Sequence, residues 1–187
     1  MKAAGGEVRI IGGVWKRSKL PVAPLPGLRP TPDRVRETLF NWLGQDLSGW
    51  HCLDPFAGSG ALGFEAASRG AASVLLADSN SLCCEVLRKN AERLHAAQIR
   101  IQRTDGLALL RQQAKYSLDL VFLDPPYDFA GYETCLQLTL ACLKTDGCAY
   151  LEAAKAWPEQ HLLTAGWRLL KHLKAGAVHA HLLQPVA

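Results

Sequence analysis

Apolar residues occur along this chain in short, nearly unbroken runs, and between them apolar and polar positions alternate with helical spacing. Runs at 50–54 (WHCLD), 73–78 (SVLLAD), 99–103 (IRIQR), 118–124 (LDLVFLD), 147–152 (GCAYLE), 167–173 (WRLLKHL) and 177–183 (AVHAHLL) predict seven strands. Stretches near 61–69, 80–95, 106–114, 131–143 and 157–164 predict helices. Five strand-to-helix alternations call for an α/β fold, a seven-stranded, mostly parallel sheet with helices on both faces. Only Lys174, Ala175 and Gly176 separate the last two runs. That gap is too short for a crossover helix, so the sheet should finish in an antiparallel hairpin.

The first 44 residues follow a different pattern. Gly12-Gly13 between two short apolar stretches predicts a small β-hairpin with a tight turn. Residues 21–30 hold four of the ten prolines and read as an extended linker. Thr31, Pro32 and Asp33 supply an N-cap, a first-turn proline and an acid for a helix running to Leu43. Its apolar side would be Val35, Leu39, Trp42 and Leu43, and Gly44 would stop it. Residues 1–44 are thus expected to form an extension, and 45–187 the body.

Charge sharpens that division. Of 187 residues, 49% are hydrophobic and the net charge is +4. Residues 1–36 carry eight Lys or Arg against Glu7 and Asp33, a balance of +6, and the remainder carries 13 basic and 15 acidic residues, or −2. A basic front end on a near-neutral body points to a polyanionic partner. The composition excludes a disordered or disulfide-stapled chain. Six cysteines without a C-x-x-C pair read as free thiols in a reducing cytoplasm, and neither a signal peptide nor a membrane span is expected.

Two motifs carry chemistry. Asp54-Pro-Phe-Ala-Gly58-Ser-Gly60-Ala-Leu-Gly63 places G-x-G-x-x-G between a strand and a helix, where glycines let the backbone approach a nucleotide-like cofactor. Asp78 ends the next strand, 18 residues after Gly60, where a carboxylate can accept from a ribose diol. The acid and proline ahead of the glycines favour the cationic S-adenosylmethionine over NAD, and no Gly-Lys-Ser/Thr follows to make a P-loop. The second motif ends the fourth strand of the body, at Asp124-Pro125-Pro126-Tyr127. Adjacent prolines hold the chain extended beside a carboxylate and an aromatic ring. Asp124 and the Pro125 carbonyl can accept the hydrogens of an exocyclic amine while Tyr127 stacks on the base.

With these residues in view, the body resembles the class I S-adenosylmethionine-dependent methyltransferases, whose Rossmann-like fold carries a glycine loop and an Asp-Pro-Pro-Tyr-type loop in these positions. RIIGGVWKRSKL and GLRPTPDRVRETLFNWL narrow the resemblance to the bacterial family of 16S ribosomal RNA guanine-N2 methyltransferases, the ribosomal RNA small subunit methyltransferase D family. The resemblance implies S-adenosyl-L-methionine as cofactor, with no metal. It also implies the exocyclic amine of one guanine, position 966, in 16S rRNA of the small subunit or its assembly intermediate as target. A monomer acting in the cytoplasm is expected.

Carried over by position, Asp54, Phe56, Gly58, Gly60, Asp78, Ser79, Asp105 and Gly106 would form the cofactor pocket. Asp124, Pro125, Pro126 and Tyr127 would clamp the target base. Arg9, Trp15, Lys16, Arg17, Lys19, Arg29, Arg34 and Arg36 are the candidates for RNA contact, by charge and, for Trp15, by stacking. Ser79 follows Asp78 where a large hydrophobe would pack on adenine, so that wall must come from elsewhere. His179 and His181 share a strand face without a nearby ligand pattern, and Trp42, Trp157 and Trp167 read as packing residues. The rivals are an amino methyltransferase acting on DNA adenine or a protein amide, which would usually place Asn before Pro-Pro, and a catalytically silent RNA-binding protein.

Overall fold

The computed structural model describes residues 6–28, 30–126 and 128–186. Its larger sheet is built from β3 (His51–Asp54), β4 (Ser73–Asp78), β5 (Ile99–Arg103), β6 (Leu118–Leu123), β7 (Leu143–Ala153), β8 (Trp167–Ala175) and β9 (Val178–Pro185). The remaining strands are β1 (Glu7–Arg9) and β2 (Lys19–Pro21), and the helices are α1 (Asp33–Trp42), α2 (Ala61–Ser68), α3 (Ser81–Arg93), α4 (Gly106–Gln112), α5 (Tyr132–Cys142) and α6 (Glu159–Thr164).

Seven strands lie in the order β5-β4-β3-β6-β7-β9-β8. Every pair from β5 to β7 is parallel, whereas β9 runs antiparallel to both β7 and β8. The chain enters at β3, builds outward to β5, and returns to lay β6 on the other side of β3. The switch point therefore falls between β3 and β6, whose carboxyl ends carry Asp54 and Asp124. An open α/β sheet leaves a crevice for ligands at this place. Two apolar clusters cover the faces: Phe64, Phe122 and Tyr150 belong to one, and Leu123, Leu151 and Leu162 to the other. No helix among the described residues is long and apolar enough to cross a membrane.

The N-terminal residues depart from three expectations. First, β1 and β2 pair antiparallel, but residues 10–18 connect them, so Gly12-Gly13 makes no tight hairpin turn. Those glycines serve docking instead. Ser68 at the end of α2 receives the Val14 and Trp15 amides, on its carbonyl and hydroxyl respectively, and its hydroxyl donates to the Gly12 carbonyl. A Cβ on Gly13, whose φ is +73°, would stand 1.8 Å from the Ser68 carbonyl oxygen.

Second, Thr31 is not the N-cap of α1. Pro32 holds that position without a side-chain cap, because the Thr31 hydroxyl is directed to Asp124. Third, the buried side of α1 is Val35, Arg36, Leu39 and Phe40, with Trp42 and Leu43 only packed against its edge. The helix is turned toward Glu65 of α2. That carboxylate is fully buried and accepts from the Arg36 and Arg69 guanidiniums and from the Ile11 and Gly12 amides. Val8, Ile10, Leu20, Val35, Leu39 and Phe40 share one apolar cluster with residues of the body.

Candidate active site

The glycine loop is shaped by packing on one side and by hydrogen bonds on the other. Gly60 has φ +76°, and a Cβ there would lie 2.5 Å from Leu87 and 2.8 Å from Phe64. Gly63 lets α2 approach β4, since a Cβ at that position would meet Leu76 at 2.1 Å. The Gly58 amide donates to Asp78 at 3.0 Å, and the Asn80 amide donates to the other Asp78 oxygen at 2.8 Å. Asp78 thus ties the loop after β3 to the turn after β4, with Ser79 exposed between. Asp105 ends the turn after β5 and caps α4 by accepting from the Ala108 amide. Phe56 lies against Gly106, where a Cβ would sit 2.6 Å from its ring. All eight residues expected at the cofactor pocket therefore gather at the carboxyl ends of three adjacent parallel strands. Phe56, half-buried, stands beside Gly106 as the aromatic ring of this group, whereas Ser79 is small and exposed.

Across the switch point stands a cluster of acids that only partly showed in the sequence. Asp124 accepts a hydrogen bond from the Thr31 hydroxyl at 3.2 Å. Burial pushes its carboxyl well up from the usual range, and Glu152 and Asp54 push it further, while the Thr31 bond opposes them. Burial also raises Glu152, against the Tyr150 hydroxyl, which donates to it at 2.8 Å. Asp54 is pushed up to about 7 by burial, with Asp78 adding to the shift and the Phe56 amide opposing it. Pro125 is buried, Pro126 is exposed, and the Pro126 carbonyl accepts from the Phe129 amide at 2.9 Å to turn the loop. Tyr127 lies outside the described residues. Thr31, Tyr150 and Glu152 were not foreseen as site residues.

Three carboxyls that resist ionisation, Asp54 buried and Asp124 and Glu152 half-buried, fit a cationic ligand, which would restore the charge that desolvation suppresses. S-adenosylmethionine carries such a charge on its sulfonium. Its affinity should then rise with pH toward about 7, by up to about tenfold per unit for one linked proton, and level off above. The sign follows because a cation binds the ionised form of Asp54 better, so binding expels a proton. S-adenosylhomocysteine lacks the sulfonium and should show a weaker dependence in calorimetric titrations at matched pH. The ligand-free fold should in turn lose stability as pH rises from about 4 to about 7, because Asp54 holds its proton more tightly folded than unfolded.

The basic candidates are placed unevenly. Arg34 is exposed near the start of α1, close to Thr31. Arg9 is exposed and paired with Asp33 at 3.2 Å, and Lys19 is paired with Glu7 at 2.9 Å. Lys16 and Arg17 project from the turn docked on Ser68, the end of α2 remote from the glycine loop by about 12 Å of helix. Trp15 is half-buried against the core. Arg36 is a correction: it is fully buried, bonded to Glu65, Asp33 and the Arg9 carbonyl, and no phosphate can reach it. Arg29 lies outside the described residues.

The cysteines and histidines take structural places. All six cysteines are buried and unpaired, and burial pushes Cys135 up to about 12 and Cys142 to about 11. His179 and His181 stack with His172 of the neighbouring strand, at 5.2 Å and 4.8 Å from its ring. Among the described residues no group of three or more His, Cys, Asp or Glu is arranged to hold a metal ion.

A glycine loop, strand-end acids and an Asp-Pro-Pro turn on this sheet define a class I S-adenosylmethionine-dependent methyltransferase. The family model described as "Conserved hypothetical protein 95" matches residues 8–184. Ribosomal RNA small subunit methyltransferase D of Haemophilus influenzae is 43% identical, over 97% of this chain and 95% of its own. The protein of the same name from Escherichia coli strain K12 is 41% identical, over 97% and 92%. A solved Escherichia coli structure described as a methyltransferase superposes with a TM-score of 0.83 at 40% identity, covering 97% of this chain and 99% of that one. The chain belongs to the ribosomal RNA small subunit methyltransferase D family.

Proposed function

We propose that the protein transfers a methyl group from S-adenosylmethionine to the exocyclic N2 amine of a guanine in 16S rRNA of the small ribosomal subunit, guanine 966 by family likeness. The observation that carries this reading is Asp124, held by Thr31 at the end of β6 and close enough to Asp54, at the end of the adjacent β3, to feel its charge. Asp54, Gly58 and Gly60 would border the methionine end of the cofactor, Asp78 and Ser79 the ribose, and Phe56, Asp105 and Gly106 the adenine. The bound cofactor supplies an electrophilic methyl group.

The protein's part is to hold the amine in line with that methyl. Guanine N2 is a weak nucleophile, and its hydrogens become more acidic as nitrogen gains positive charge. Hydrogen bonds from the amine to Asp124 and to the Pro125 carbonyl would strengthen with that charge, which lowers the barrier. Glu152, facing the same space, favours positive charge there as well. Tyr127 would stack on the flipped base. Residues 45–187 would perform the transfer, while 1–44 hold the RNA along a line from Arg34 past Arg9 and Lys19 to Lys16 and Arg17.

Neutralising Lys16, Arg17 and Lys19 together should weaken binding to small-subunit RNA at least tenfold and flatten its log–log salt dependence by about two. Cofactor affinity should not move. Equal loss of both would mean a damaged fold rather than lost phosphate contacts. Labelled methyl transfer to small subunits, naked 16S rRNA, DNA and protein tests the substrate class directly. Transfer confined to the RNA samples is expected, and transfer to DNA or protein would overturn the reading.

A further inference from the structure

A cavity opens between the start of α5 and the segment after β7, on the opposite side of the sheet from Asp124. It measures about 380 Å³, and Tyr132, Trp157 and His161 provide its aromatic walls. Phe122 and Tyr150 face one apolar cluster, and Leu123 and Leu151 the other. By strand alternation Glu152 continues the first side, as Asp124 does through Thr31, whereas Ala153 continues the second, where it lines this cavity.

The cavity is held open by specific contacts. Aromatic rings run from the cofactor loop to its wall: Phe56 to Phe129 at 5.3 Å and Phe129 to Tyr132 at 5.5 Å, both edge to face, and Tyr132 to Trp157 at 5.9 Å, tilted. His161 abuts the other side of Trp157 at 5.3 Å and pairs with Glu133 at 2.7 Å. The Trp157 amide donates to His181 Nε2 at 3.1 Å, and His181 Nδ1 bonds the Leu151 carbonyl at 3.2 Å. Donation to that carbonyl fixes the tautomer, so the buried imidazole joins Trp157 to β7. Lys155, exposed on the rim, makes no ion pair among the described residues.

We propose that this cavity is a subsite for one unpaired nucleotide flanking the methylated guanine, its base against Trp157 and Tyr132 and its phosphate at Lys155. The inference rests on the RNA substrate proposed above. Aromatic walls with an ammonium at the rim that makes no ion pair among the described residues, the lining carboxylate of Glu133 being turned to His161, suit the face of a base and the phosphate attached to it. An RNA strand crossing the carboxyl edge of the sheet, with its target guanine at Asp124, would bring a neighbouring base to this side of the sheet.

The test pairs a protein change with an RNA change. Small subunits are reconstituted on 16S rRNA lacking a single base, either 5′ or 3′ of the methylated guanine. For the wild-type enzyme, one of the two deletions should lower kcat/KM about tenfold. Trp157→Ala should lose a similar factor on intact RNA, chiefly through KM, and nothing further on that abasic RNA. Trp157→Phe should retain most of the activity, and S-adenosylmethionine affinity should not change in either variant. Losses that multiply, or no effect of either deletion, would overturn the subsite. A wild-type enzyme that leaves intact RNA unmethylated would overturn the proposed function, and the subsite with it. Should Trp157→Ala not fold, 2-aminopurine placed at each flanking position reports on the wild type alone. Quenching at one position on binding is expected, and unchanged emission at both would overturn the proposal.

Discussion

Asp124→Ala should reduce kcat for methyl transfer by about a thousandfold while leaving the affinity for S-adenosylmethionine within a few-fold of wild type. The carboxylate would touch the reacting amine and, by strengthening its hydrogen bond as charge develops, would act on the transition state more than on the bound ground state. Loss of that bond therefore belongs in kcat. Cofactor residues on β3, β4 and β5 do not depend on Asp124 for their placement. Asp124→Asn keeps an acceptor without the charge and should fall between the two. Single-turnover kinetics with calorimetric binding separates these effects, and a turnover near wild type in the alanine variant would remove Asp124 from the chemistry.

The largest effect on stability is expected far from that site, at Glu65. Its carboxylate balances Arg36 and Arg69 and receives two backbone amides, with both Glu65 and Arg36 fully buried. Glu65→Ala would leave the buried Arg69 guanidinium without its carboxylate, Arg36 with Asp33 as its remaining one, and two part-buried amide donors without an acceptor. Breaking one side of a buried ion pair in this way costs about 3–5 kcal/mol. Urea unfolding should show that loss as a lower midpoint with little change in slope. The same variant should free the loop that carries Lys16 and Arg17, because Ile11 and Gly12 are anchored on Glu65. RNA affinity would then fall even at temperatures where the body stays folded. A loss below about 1 kcal/mol would contradict the hub role assigned to Glu65.

Much of the site was legible because parallel sheets place chemistry at strand ends. Asp54, Asp78, Asp105 and Asp124 each close a predicted strand or the turn after it, and each lies where that pattern puts it. Glu152 closes the fifth predicted run in the same way, so the signal that found the others could have found it. Thr31 was hidden for another reason. Thr-Pro-Asp before a helix is a capping pattern, and only the fold shows its hydroxyl turned 93 residues along the chain to Asp124.

Arg36 reads as solvent-facing because charge on a helix normally faces water. A buried acid on a different helix, Glu65, reverses that preference, and no local pattern reports it. Gly12-Gly13 likewise looks like a hairpin turn, although its smallness is needed for contact with Ser68. Trp157 reads as a packing residue like Trp42 and Trp167, yet Trp167 is fully buried whereas Trp157 lines an open cavity. Exposure of that kind depends on neighbouring loops, which periodicity does not describe. His172 reaches His181 across the β8–β9 register, a pairing set by the hairpin rather than by spacing along one strand.

The most direct measurement is mass-spectrometric mapping of N2-methylguanosine in 16S rRNA from cells with and without this protein, and from cells carrying Asp124→Ala. One guanine should be methylated when the wild-type protein is present and unmethylated in the other two. A methylation pattern that is the same in all three would contradict the proposed reaction.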